Sequence, residues 1–139
     1  MKTKVWLTQL FPQLKNLTVE HQNLAYEGCV FTVDGNNYRS RLAKRTPTKA
    51  GYFTAFWQKD ATGKNQPFAE GDIQYLLIFT EEGDYFCFPK EALHALAIVT
   101  TATHQGKMAM RFYAPHEQGL NKTATTTQRK QAPYYKKRR

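Results

Sequence analysis

A chain of 139 residues with twenty Lys or Arg against eleven Asp or Glu carries a formal net charge of +9, enough chain for one domain with a real core and too little for two ordinary ones. No apolar run approaches the roughly 20 residues needed to span a bilayer, and Lys2 and Lys4 precede a mixed stretch, Val5 to Phe11, instead of the unbroken apolar core of a signal peptide; no membrane insertion and a cytoplasmic location are expected. The charge is uneven, because residues 1–100 hold eleven cations and ten acids whereas 101–139 hold nine cations and only Glu117, which points to an anionic partner for the C-terminal part.

In chain order, Thr3 to Leu10 reads as a short helix stopped near Pro12. Leu24 to Val33 alternates apolar and polar residues, and Asp34-Gly35 is a hairpin turn into Asn37 to Arg45. With the aromatic, extended Gly51 to Lys59, these predict a three-stranded meander before residue 60. Asp60 to Asp72 is a surface loop long enough to suggest a role. Ile73 to Thr80 is a continuous apolar run, as in a central strand covered on both faces. Glu81-Glu82-Gly83-Asp84 turns it back into Tyr85 to Phe88, and Pro89 starts a helix over Lys90 to Val99. Lys107 to Tyr113 alternates as a last strand. From Gln118 the hydrophobic pattern fades, which predicts a partly helical segment with a mobile end. The expected fold is α+β, a mixed, mostly antiparallel central sheet of five or six strands with flanking helices on one face. It occupies residues 1–118, with a basic C-terminal tail over 119–139.

The densest signal for function lies between Arg39 and Trp57. Five cations, Arg39, Arg41, Lys44, Arg45 and Lys49, occur there with no acid among them. On an extended strand Arg39, Arg41 and Ala43 share one side while Leu42 and Lys44 share the other. The cations converge only if the strand end and the Thr46-Pro47-Thr48 turn wrap around a groove, which would suit a nucleic-acid backbone. A solvated, charge-protected strand edge is the plainer alternative. Trp57 and its neighbours Tyr52, Phe53 and Phe56 could stack on bases, although at least one face of that strand must be core and Trp57 is expected to be partly buried. Lys90, in a first helical turn beside free amides, suits a phosphate; Lys107, Arg111, Arg129 and Lys130 would add backbone contacts. Cys29 and Cys87 are isolated and the histidines show no ligand spacing, so neither a metal nor a cofactor is expected.

The same stretch carries a resemblance. Arg41-x-Ala43-Lys44-x-Thr46-Pro47-x-Lys49-x-Gly51-x-Phe53 followed by Trp57, then Asn65-x-Pro67-Phe68, Asp72, Phe88-Pro89-Lys90, and Gly106-Lys107 with Arg111, resembles the MepB family. These are small bacterial proteins named from a gene beside a multidrug exporter; Tyr26-Glu27 fits as well. The resemblance spans residues 24–115 and implies a single domain of that kind but no mechanism. The layout is also similar to restriction-endonuclease-like enzymes, where an acid on one hairpin strand and a Glu-x-Lys on the next hold a divalent metal. Glu27 and Lys44 fall at the acid and the lysine. Leu42 stands where the second carboxylate belongs, so that resemblance implies a DNA-gripping scaffold without its catalytic centre. The expectation is therefore non-catalytic binding of nucleic acid, DNA more than RNA. The alternatives are a metal-dependent nuclease rearranged around Glu27, Asp72 and Lys44, and a small-molecule or protein-binding module.

Overall fold

A computed structural model of the protein describes residues 1–138. Helix α1 (Lys2–Leu10) leads into strand β1 (Lys15–Val19), a 3₁₀ segment (His21–Tyr26) and the hairpin β2 (Cys29–Val33) and β3 (Asn36–Leu42). There follow β4 (Lys44–Arg45), β5 (Tyr52–Ala55), the small hairpin β6 (Gln58–Lys59) and β7 (Asn65–Gln66), then β8 (Tyr75–Phe79) and β9 (Tyr85–Pro89). The chain ends with α2 (Lys90–Ala95), β10 (Ala109–Phe112), α3 (Lys122–Gln131), a 3₁₀ turn (Ala132–Tyr134) and β11 (Tyr135–Lys136).

The predicted apolar strand is at the centre. The main sheet has the order β1-β2-β3-β8-β9-β11, with β3 and β8 parallel and the other pairs antiparallel. Both faces of β8 are buried, which is why its residues are apolar without alternation. Leu76 and Ile78 pack with Phe86, Phe88, Leu93 and Phe112, while Leu77 and Phe79 pack with Leu7, Phe31 and Tyr38. Helices therefore flank both faces, α1 through Leu7 and α2 through Leu93, where one helical face was expected.

Three local readings are corrected. The meander does not form: β3 pairs on its far side with β8, and β4 and β5 pair with β10 in a second, antiparallel sheet of order β10-β5-β4. The apolar β8 must be interior, and β3 supplies its neighbour, with Leu42 opposite Phe79. The strand expected from Leu24 begins only at Cys29. Before it the backbone coils, and Glu27 sits in the left-handed region with φ 50°. Its carboxylate accepts hydrogen bonds from Thr3 N and Thr3 Oγ1, at 2.9 and 2.8 Å, and so caps the first turn of α1.

The third correction concerns the end of the chain. Residues 122–131 form α3, and Tyr135–Lys136 completes the main sheet beside β9. Gln131 is fully buried; its Oε1 accepts from Tyr113 N at 2.9 Å and its Nε2 donates to Arg111 O at 3.0 Å. Gln128 Nε2 donates to Ala114 O and Glu117 O at 2.9 and 3.0 Å. These amides satisfy backbone groups that a neighbouring strand would otherwise take. Tyr134 and Tyr135 pack against the core, and the Tyr135 hydroxyl donates to Asp84. Polar residues thus anchor a segment whose composition suggests mobility.

Buried phenols give the fold an alkaline limit. Burial pushes Tyr38 up to about 12, and burial together with the hydrogen bond to Glu82 pushes Tyr52 up to about 12. Tyr135 is raised by burial and by its bond to Asp84. Each folded-state pKa lies above the unfolded value of about 10, so the contribution is complete below about pH 10 and is lost as pH rises towards 12. The thermal midpoint should therefore decline above about pH 10; a level midpoint through that range would show that the phenols are not held neutral by the fold.

Candidate nucleic-acid interface

The second sheet builds a solvent-facing row from sequence-distant residues. In register, Lys44 lies opposite Phe53 and Phe53 opposite Arg111, while Arg45, Tyr52 and Phe112 form the next rung. Because sides alternate along each strand, Tyr52 and Phe112 enter the core. Lys44, Phe53 and Arg111 occupy the outer face, each partly exposed. Tyr26 meets Phe53 edge-on with ring centres 6.1 Å apart. Lys44 Nζ lies 5.7 Å from the Tyr26 ring and the Arg111 guanidinium 5.7 Å from the Phe53 ring, so cations and aromatic rings alternate across the face.

Arg111 is held in place by the turn that precedes β5. Its Nη1 donates to Ala50 O at 3.2 Å and its Nη2 to Thr46 Oγ1 at 2.7 Å. A guanidinium has five donors, so N–H groups remain for a ligand. The turn closes tightly at Gly51, whose φ is +83° and where a Cβ would lie 2.6 Å from the Tyr113 ring. Any side chain there would push the turn away from Arg111.

Beyond Arg111 the face continues into a cavity of about 390 Å³ between this turn and α3. Lys49 and Arg111 enter it with Tyr113, Asn121, Thr123 and Thr127. A second cavity of about 260 Å³, with Lys107 and Lys130 in its lining, shares Thr127 with the first. Asn121 Oδ1 accepts from Ala124 N at 2.8 Å and starts the helix, while Gln128 and Gln131 tie it down. Among the described residues, none of Lys44, Lys49, Lys107, Arg111 or Lys130 pairs with a carboxylate.

The other predicted cations are placed differently. Arg41 is completely buried; its Nη1 donates to Glu20 Oε1 at 2.7 Å and to Ser40 O at 2.8 Å, and its Nε and Nη2 donate to Asn23 Oδ1 at 3.0 and 2.7 Å. Arg39 donates to Glu20 Oε2 at 2.8 Å and Gln58 Oε1 at 3.0 Å, with its guanidinium 4.5 Å from the Phe68 ring. Neither lines a groove, because β3 lies between β2 and β8 and a cation there has to be neutralised inside. Arg45 points to the opposite side from Lys44, over Tyr52 and paired with Glu117 at 2.8 Å. Trp57 is half-buried, as expected, with Lys59 Nζ 5.1 Å from its ring. Lys90 is exposed at the start of the six-residue α2, and Arg129 is exposed on α3.

Sequence reasoning missed Tyr26 as the ring set against Phe53 and Lys44, and Glu20 and Asn23 as the partners of Arg41. Tyr26 was visible only through the family motif. For the rearranged-nuclease alternative, the Glu27 carboxylate is committed to Thr3. The Asp72 carboxylate accepts from Gln58 Nε2 and Ala69 N at 2.6 and 3.0 Å, and Leu42 is core. Among the described residues, no three His, Cys, Asp or Glu side chains gather where they could hold a metal. Cys29 and Cys87 are free thiols, both raised in pKa by burial.

The sequence matches the description MepB-like over residues 20–137. The crystal structure of MepB superposes with a TM-score of 0.86 at 43% identity, covering 99% of this chain and 97% of that one. A bacterial homing endonuclease, I-Ssp6803I, aligns over 76% of each chain at 15% identity with a TM-score of 0.40, a likeness too slight to carry an argument. Comparison with curated proteins gave no match. Among the described residues no helix is long and apolar enough to cross a membrane.

Proposed function

The chain belongs to the MepB-like family, and from that premise we propose that it is a cytoplasmic, non-catalytic nucleic-acid-binding protein whose contact surface is the outer face of the β4–β5–β10 sheet. The observation that carries this reading is the row of Lys44, Phe53 and Arg111 in register across three strands, with Tyr26 against it. Unpaired cations supply sequence-independent attraction to phosphates, and the rings between them supply stacking surface that tolerates any base. Lys49 extends the same surface towards α3, and Lys107, Lys130 and Arg129 add positive charge around that helix. The concentration of positive charge after residue 100 is brought onto the domain because α3 and β11 are part of it.

The test is direct binding to labelled oligonucleotides. Lys44→Gln and Arg111→Gln should each weaken binding by about 1.5–3 kcal/mol, the range for hydrogen bonds to charged groups. Arg45→Gln, whose guanidinium is already committed to Glu117, should bind almost as the unaltered protein does. Equal losses at all three positions would reduce the effect to net charge, and no loss at Lys44 and Arg111 would remove this face from the interface.

A further inference from the structure

We infer that the solvent side of α1, together with the cations that β11 brings beside it, is a second binding surface whose partner is the surface of an anionic lipid bilayer. It lies across the main sheet from the proposed nucleic-acid interface: α1 packs through Leu7 on the Phe31 and Phe79 side, whereas the second sheet packs through Tyr52 and Phe112 on the other. Residues 1–19 contain three lysines and no Asp or Glu. Thr3 and Leu7 of α1 are buried and Leu10 packs beside them. At 3.6 residues per turn Val5 therefore points away from the sheet, with Met1 one turn before it and Lys2 and Lys4 on the two flanks. Val5 is 55% exposed and Met1 43%, two of the four exposed large apolar side chains among the described residues.

The register of β11 adds the remaining charge. Lys136 lies opposite Tyr85, which packs on the α1 side, and Tyr135 opposite Phe86, which packs on the other. Arg138, two residues beyond Lys136, returns to the α1 side: its guanidinium lies 4.8 Å from the Trp6 ring and its Nη1 donates to Gln9 Oε1 at 3.4 Å. Among the described residues, none of Lys2, Lys4, Lys136 and Arg138 pairs with a carboxylate. The acids that adjoin the face, Glu27 and Asp84, are given to Thr3 and to the Tyr135 hydroxyl. Cations around an exposed apolar pair suit a helix lying in the headgroup layer, where lysine stems cover apolar surface while their ammonium groups reach lipid phosphates. With nine residues α1 is too short to span a bilayer and can only lie on it. A nucleic acid would use the cations but not Val5 and Met1, which offer no ring for stacking.

The inference is tested by sedimenting the full chain with vesicles of phosphatidylcholine alone and with vesicles that also contain phosphatidylglycerol. At low salt it should partition at least about tenfold more strongly onto the anionic vesicles. Lys2, Lys4 and Val5 are exposed, so their replacement leaves the fold intact. Lys2→Gln/Lys4→Gln should weaken partition about 20- to 30-fold, at roughly fivefold for each cation at the surface, and leave oligonucleotide binding unchanged. Val5→Ser keeps every charge; it should weaken vesicle binding at least about threefold without changing affinity for heparin, a polyanion that has no apolar layer. Lys44→Gln/Arg111→Gln should bind vesicles as the unaltered protein does. Absence of a preference for anionic vesicles overturns the inference, and so does undiminished vesicle binding by Lys2→Gln/Lys4→Gln or by Val5→Ser. Vesicle binding lost only in Lys44→Gln/Arg111→Gln would overturn it by moving the lipid to the other face. The nucleic-acid reading is untouched by any of these results, because it is read from the oligonucleotide alone.

Discussion

Replacing Arg41 with Ala is expected to destabilise the protein by about 3–5 kcal/mol, the cost of removing one partner from a buried ion pair. The Arg41 side chain has no exposed surface and Glu20 only 8%. Inside the fold the guanidinium is satisfied by Glu20, Asn23 and the Ser40 carbonyl. Burial lowers the Arg41 pKa, and the Glu20 charge works against that shift. Without Arg41, Glu20 retains, among the described residues, Arg39 and Gln22 as side-chain partners, and a cavity replaces the cation beneath the Phe68 ring. In thermal terms the loss corresponds to roughly 10–20 °C. Arg41→Lys should recover little, because one ammonium cannot reproduce a fork of donors aimed at two side chains and a carbonyl. A protein that melts normally but no longer binds nucleic acid would return Arg41 to the interface.

Truncation after Gln118 should have an effect at least as large. It removes α3 and β11 and leaves Tyr113 N and Arg111 O without the partners that Gln131 provides. Each such orphaned group costs about 1–3 kcal/mol when buried. The truncation also exposes Phe86 and Phe88, whose ring centres lie 5.4 and 5.6 Å from those of Tyr135 and Tyr134. Uncovering apolar side chains costs about 1.5–3 kcal/mol for each one fully exposed. The total approaches the entire stability of an ordinary domain, about 5–15 kcal/mol, so the truncated chain should lack a cooperative unfolding transition. Neutralising the charge with Lys136→Gln and Lys137→Gln, while keeping the segment, should leave the transition in place. A truncated protein with an unchanged midpoint would restore the picture of a loose cationic arm.

The central architecture was legible because it depends on local chemistry. Tyr75–Phe79 is apolar on both faces, Asp34-Gly35 encodes a hairpin, and Pro89 opens a helix. What was not legible depends on pairing at a distance. Whether Arg41 faces solvent or the interior is decided by β8 lying against β3, 37 residues further along in register. The alternation from Arg39 to Arg45 hides the break at Ala43, after which the chain leaves one sheet for another. The C-terminal segment lacks an apolar stripe because glutamine amides and two tyrosines anchor it, and composition cannot distinguish those from a solvated tail. For the proposed interface, cation density and the family motif single out Lys44, Lys49 and Arg111 as candidates. Their convergence on Phe53 and Tyr26 required the register of the second sheet.

Nucleic-acid binding by this face is tested most directly by measuring affinity for a single-stranded oligonucleotide over a series of salt concentrations. The unaltered protein and the Lys44→Gln/Arg111→Gln double variant are compared. Released counterions make log affinity fall linearly with log salt, by about 0.7 per neutralised phosphate on a single strand. The double variant should therefore bind more weakly at every salt concentration, with a slope shallower by roughly 1.4. Absence of binding even at low salt, or the same affinity and slope in both proteins, would contradict the assignment.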